Sequence, residues 1–161
     1  MSRCLFACAL WLLLATGVRA ANDAFVIEVS AKPAGGPTIT SRSTEAATRG
    51  RATIASQPRR KMELTWSVTS AAGSKPAPNV TVHTFLERAA AVGAATAPKP
   101  GPTALYESAV SVNFEAGSRA SGQISLEVPD AGDYLLRVET IGAAASAGRE
   151  QAAAIDLKVT P

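Results

Sequence analysis

Apolar residues recur at every second position along a series of short segments separated by turn-forming residues. That is the period of an extended strand with one face buried. Ala24–Ser30 sets Phe25, Ile27 and Val29 against Val26, Glu28 and Ser30. Lys61–Thr69 is the most regular, with Met62, Leu64, Trp66 and Val68 between polar neighbours. Val80–Glu87 turns Val80, Val82 and Leu86 inward and Thr81, His83 and Phe85 outward. Glu107–Glu115 is expected to bury Val110, Val112 and Phe114, and Ala120–Val128 to bury Ile124, Leu126 and Val128. Ala154–Val159 buries Ile155, Leu157 and Val159, and Arg51–Ser56 adds a short edge strand held by Ile54. Between these lie two stretches rich in Gly, Pro, Ala, Ser and Thr, 32–50 and 88–103, which read as long loops.

The central segment is Pro129-Asp130-Ala131-Gly132-Asp133-Tyr134-Leu135-Leu136-Arg137-Val138-Glu139-Thr140. A polar turn runs into a strand with Tyr134, Leu136 and Val138 on one face and Leu135, Arg137 and Glu139 on the other. The spacing Asp-x-Gly-x-Tyr resembles the tyrosine corner of immunoglobulin-like sandwiches, in which the hydroxyl bonds back to upstream backbone. An ordinary turn before a strand with a half-buried tyrosine is the alternative. Short alternating strands without sustained helical periodicity predict an all-β protein: an immunoglobulin-like antiparallel β-sandwich of about seven strands, one domain over 24–160.

Two stretches resemble bacterial CARDB-type adhesion modules. Residues 59–85, RRKMELTWSVTSAAGSKPAPNVTVHTF, share the alternating strand, Gly-containing turn and Asn-Val-Thr-Val second strand. Residues 114–140, FEAGSRASGQISLEVPDAGDYLLRVET, share a Gly-Ser turn, a strand, Pro-x-x-Gly-x-Tyr and another strand. The resemblance implies a seven-stranded immunoglobulin-like sandwich acting in adhesion or interaction outside the cell. It covers about half the chain beyond residue 20. Pro58-Arg59-Arg60 replaces a Pro-Gly pair usual before the first strand, and 88–103 is longer than such modules carry.

The N-terminus fits a targeting segment. Arg3 precedes an apolar run from Cys4 to Ala15, and Val18-Arg19-Ala20 ends in a small residue, as a cleavable signal peptide does. Cleavage is expected after Ala20 or Ala21, giving a secreted or periplasmic protein without a membrane span. Cys4 and Cys8 leave with it, so the mature chain has no thiol and no disulfide. Arg3 and Arg19 leave too, so 16 basic residues become 14 against 13 acidic ones. A nucleic-acid partner then has no electrostatic support.

Candidate chemistry is sparse. His83 is the only histidine, in mid-strand with no cysteine to accompany it, and no Gly-x-Ser-x-Gly elbow is present. No catalytic residue, metal or cofactor is expected, and Asp130 and Asp133 read as turn carboxylates rather than calcium ligands. Two surfaces stand out instead. Arg49, Arg51, Arg59, Arg60 and Lys61 form a basic cluster, read either as an anionic polysaccharide or head-group surface or as solvated turn and edge-strand charges. His83, Phe85, Leu135 and Arg137 share an outward face on which Phe85 and Leu135 make an apolar patch. That patch either docks another envelope protein or lies beneath one of the loops 32–50 or 88–103, and the exposure of Phe85 separates the two. The expected function is thus an exported non-enzymatic interaction or adhesion module, with a carbohydrate- or anionic-surface-binding accessory protein as the alternative.

Overall fold

The computed structural model describes residues 25–43, 51–93, 104–142 and 151–161. The expected signal peptide, Arg49 and most of the loop 88–103 therefore lie outside the described residues. Nine strands follow one another: β1 Phe25–Pro33, β2 Ile39–Arg42, β3 Ala52–Ser56, β4 Lys61–Ser70, β5 Ala77–Arg88, β6 Tyr106–Phe114, β7 Arg119–Glu127, β8 Gly132–Ile141 and β9 Gln151–Val159. They form a four-stranded sheet, β2-β1-β4-β7, and a five-stranded sheet, β3-β9-β8-β5-β6.

The inward positions of the two sheets meet in one core. Phe25, Ile27 and Val29 of β1 and Met62, Leu64 and Val68 of β4 pack towards Val82 and Leu86 of β5. Leu136 and Val138 of β8 and Ile155 and Leu157 of β9 complete the same cluster. Phe25 and Phe114 meet edge to face, with ring centroids 5.0 Å apart. Each large apolar side chain taken out of water here contributes about 2 kcal/mol, and the alternation has no other means of satisfying it.

The tyrosine corner is present. Tyr134 is buried, and its hydroxyl donates to the Asp130 carbonyl at 3.1 Å. The Arg88 guanidinium stands over its ring, 5.8 Å from the centroid, and Nη2 donates to the Ala131 carbonyl at 2.9 Å. Turn, ring and cation thus lock the start of β8 against the end of β5.

Three expectations need correction. The segment 32–50 is not all loop, because β1 runs on to Pro33 and β2 pairs with it, Glu28 opposite Arg42 and Ser30 opposite Thr40. Apart from Ile39, which packs against the core, what holds β2 is polar: Arg42 Nε donates to Glu28 Oε2 at 2.7 Å, and the Ser30 and Thr40 hydroxyls bond at 2.8 Å. Such a strand has no apolar period to reveal it. The sandwich is also not wholly antiparallel, since β3 joins the free side of β9 in parallel, Ile54 opposite Leu157. The described residues hold nine strands in this all-β sandwich. Finally, Val110 points inward from β6 but is 45% exposed, and Ile124 and Leu126 of β7 are only half-buried. Strands β6 and β7 are the sheet edges where the sandwich opens, so inward residues there meet water.

Candidate functional site

The outer face of the five-stranded sheet gathers most of the singled-out side chains. Pairing sets Glu107, Phe85, Arg137 and Ala154 in one row across β6, β5, β8 and β9, and Ala109, His83, Glu139 and Ala152 in the next. His83 lies between two carboxylates, Nδ1 3.0 Å from Glu139 Oε1 and Nε2 3.0 Å from Glu107 Oε1. Arg137 Nε donates to Glu139 Oε2 at 2.7 Å. With both glutamates ionised they only accept, so both contacts are hydrogen bonds when the ring carries a proton on each nitrogen. Burial raises the Glu139 carboxyl, but hydrogen bonds from His83 and Arg137, with their charges, outweigh it and hold the group below its ordinary value of 4.5.

Exposure decides between the two readings of this face, in favour of cover. Phe85 is 1% exposed and Leu135 is fully buried, yet neither belongs to the core between the sheets. They lie on the far side of the same sheet, with the His83 ring 5.3 Å from that of Phe85. His83 is buried too, so of the proposed face only Arg137 stays partly accessible. The physical reason is that two large apolar groups on neighbouring strands gain more from cover than from water. The described part of the first long loop forms β2 in the other sheet and is not that cover.

The basic cluster is divided by the fold. Arg51 Nε donates to Asp156 Oδ2 at 3.0 Å, and Asp156 is 1% exposed. Arg51 therefore serves a buried ion pair and is not part of a free cationic surface. Asp156 Oδ1 has no hydrogen-bond partner among the described residues. Arg59, Arg60 and Lys61 are exposed at the turn from β3 to β4, where Arg59 takes a φ of 60°. There the Arg59 N–H donates to the Val128 carbonyl at 2.7 Å, and Lys61 stands opposite Glu127.

Sequence reasoning missed a recess of ≈350 Å³ on the outer face of the four-stranded sheet. Its walls are Glu28 and Ser30 of β1, Thr65 of β4, and Arg119, Ser121 and Gln123 of β7, over the paired Trp66 and Gly122. Among the described residues no group of three or more His, Cys, Asp or Glu side chains is placed to hold a metal ion. The recess is a polar surface with one carboxylate and one guanidinium, suited to binding by hydrogen bonds. Its only sequence signal is the run of small polar residues at the outward positions of β1, β4 and β7, which ordinary solvated strands share.

No protein-family model matches the sequence, and no curated protein does. Solved structures match it in shape. The CARDB domain of a Pyrococcus furiosus protein, solved in complex with di-metal ions, aligns at 12% identity over 83% of this chain and 87% of that one, with a TM-score of 0.47. The chain is similar to a CARDB domain. It is similar also to the C-terminal domain of Wzt, at 15% identity over 83% of this chain and 71% of that one, TM-score 0.45. A chitin-binding domain from Burkholderia pseudomallei aligns at 13% identity over 71% of this chain and 60% of that one, TM-score 0.43. At this level the CARDB resemblance of residues 59–85 and 114–140 concerns the sandwich alone, and neither metal nor chitin passes from those proteins to this one.

Proposed function

We propose that the mature chain is a non-enzymatic β-sandwich of the bacterial envelope that binds another envelope protein through the recess on the four-stranded sheet. The observation that carries this reading is the recess itself, an accessible polar surface of ≈350 Å³ whose side chains offer donors, acceptors and both signs of charge. An extended peptide presents the matching groups along its backbone. The catalytic alternative is opposed by His83, whose two ring nitrogens are both taken up by carboxylates and whose ring is buried. Export rests on the charged, apolar and small-residue order of residues 1–20. Protein recovered from the periplasm or medium is expected to begin at Ala21 or Asn22.

The test is affinity capture from the envelope fraction with the mature protein as bait. Ser121→Trp, which fills the recess, and Arg119→Glu, which inverts its charge, are each expected to abolish capture of a specific protein without moving the unfolding midpoint. Capture unchanged by both variants overturns the reading.

A polysaccharide ligand is the second reading. The hydroxyls of Ser30, Thr65 and Ser121 favour it, as do the exposed Arg59, Arg60 and Lys61 at the turn from β3 to β4. It predicts salt-dependent retention on an anionic glycan matrix, lost in Arg59→Gln/Arg60→Gln.

A further inference from the structure

We propose that the β6 edge is a homodimer interface, on which a second copy of this chain adds its own β6 antiparallel to extend the two five-stranded sheets into one. Strand β6 is nine residues long, and no described strand pairs with its outer side. Between Ser108 and Asn113 it holds no charge, proline or glycine. The other edges are guarded as edges usually are. Strand β2 is four residues long and ends in Arg42; β3 has five residues and follows Arg51; β7 carries Arg119, Gly122 and Glu127. On β6, Val110 is 45% and Leu105, just before it, 42% exposed.

Backbone directions fix which groups the edge offers. The Leu86 carbonyl is turned to β6, taking the Leu105 N–H at 2.9 Å, whereas the Ala89 N–H is turned to β8 and donates to the Asp133 carbonyl at 2.8 Å. Successive residues of a strand address opposite neighbours, so the even-numbered residues of β5 bond to β6. These oppose Tyr106, Ser108, Val110 and Val112. The N–H and C=O groups of Glu107, Ala109, Ser111 and Asn113 therefore point to the open side.

Those four residues are symmetric about Val110. A two-fold axis at Val110 sets Ala109 against Ser111 and Glu107 against Asn113, so every outward backbone group of one copy meets its counterpart on the other. An isologous interface requires this self-complementarity. The single charge of the strand then faces an amide. Moving the axis to Ser111 sets Glu107 against Glu115, and moving it to Ala109 carries Asn113 past the end of the strand. The register is thus chosen by charge and by length, and the two exposed Val110 side chains cover one another as a non-hydrogen-bonded pair.

The mature chain lacks cysteine, which allows a register-specific test. A non-hydrogen-bonded pair has Cα atoms about 4.5 Å apart, within disulfide range. Val110→Cys is expected to give a disulfide-linked dimer under mild oxidation. Ser108→Cys alone is expected to stay unlinked, because Ser108 faces Val112, and to link when mixed with Val112→Cys. Sedimentation of the unaltered protein is expected to show a concentration-dependent dimer that Val110→Lys abolishes. A monomer at all concentrations, as expected if the edge serves an extended segment of a different protein, overturns the proposal. So does equal linking of Val110→Cys and Ser108→Cys. Envelope capture through the recess is read separately, so either proposal can fail alone.

Discussion

The Trp66 indole occupies the space that a side chain at position 122 would need. A Cβ placed on Gly122 lies 2.6 Å from Cε2 and Cζ2 and 2.7 Å from Nε1. Glycine is therefore required on β7 at the point where the tryptophan of β4 crosses towards the open edge. Gly122→Ala is expected to displace a half-buried ring and destabilise the fold by about 1–3 kcal/mol, the usual cost of overpacking. Trp66 is the one tryptophan of the chain beyond residue 20. A lower urea midpoint with red-shifted emission checks the prediction, and wild-type values for both contradict it.

Tyr134 gives a smaller effect. Tyr134→Phe keeps the buried ring beneath Arg88 but removes the hydrogen bond to the Asp130 carbonyl. A loss of about 1 kcal/mol is expected, because one neutral bond is removed and no cavity is opened. Tyr134→Ala is expected to cost about 3 kcal/mol or more. Equal costs for the two variants would place the corner's contribution in the hydroxyl alone.

Arg51 and Asp156 are expected to be unequal to replace singly and together. Arg51→Ala leaves a carboxylate that is 1% exposed without its cation, and removal of one member of a buried pair costs about 3–5 kcal/mol. Arg51→Met/Asp156→Leu is expected to recover most of that loss. A denaturant-unfolding double-mutant cycle measures it, and additive losses refute it.

Acid sensitivity follows from Glu139. Its carboxyl titrates lower in the folded chain than its ordinary value of 4.5, so the unfolded chain takes up the proton first as pH falls. The stabilisation is complete above that ordinary value, and it declines below it until the folded carboxyl is itself protonated. Urea midpoints measured from neutral pH down to about pH 3 are expected to fall less steeply for Glu139→Gln than for the unaltered protein over the acid part of that range. Identical slopes would mean that His83 and Arg137 do not hold Glu139 ionised.

Much of the fold was legible because each central strand carries its own period. Met62-x-Leu64-x-Trp66-x-Val68 and Tyr134-x-Leu136-x-Val138 declare a buried face wherever they sit, and the turn before Tyr134 declares the corner. Alternation says which residues share a face but not what lies over it. Phe85 and Leu135 therefore fall on a shared face by alternation, but their cover is visible only in the fold. Strand β2 was illegible because Glu28–Arg42 and Ser30–Thr40 are meaningful only once the register is known. Arg51 looked like one more surface cation because Asp156 lies a hundred residues away in sequence. The recess was hidden for a similar reason, since its lining comes from three separated strands and contains no unusual residue.

The Phe25 N–H donates to Gln151 Oε1 at 2.9 Å, so the nine-residue first and last strands begin at the same pole of the sandwich. Val159 then lies about 26 Å away at the opposite pole, given the rise of about 3.3 Å per residue. Tension applied between those two positions would run along the strands and load many ladder bonds at once, rather than unzipping them one by one. The sandwich is thereby expected to resist extension along its strands more strongly than peeling.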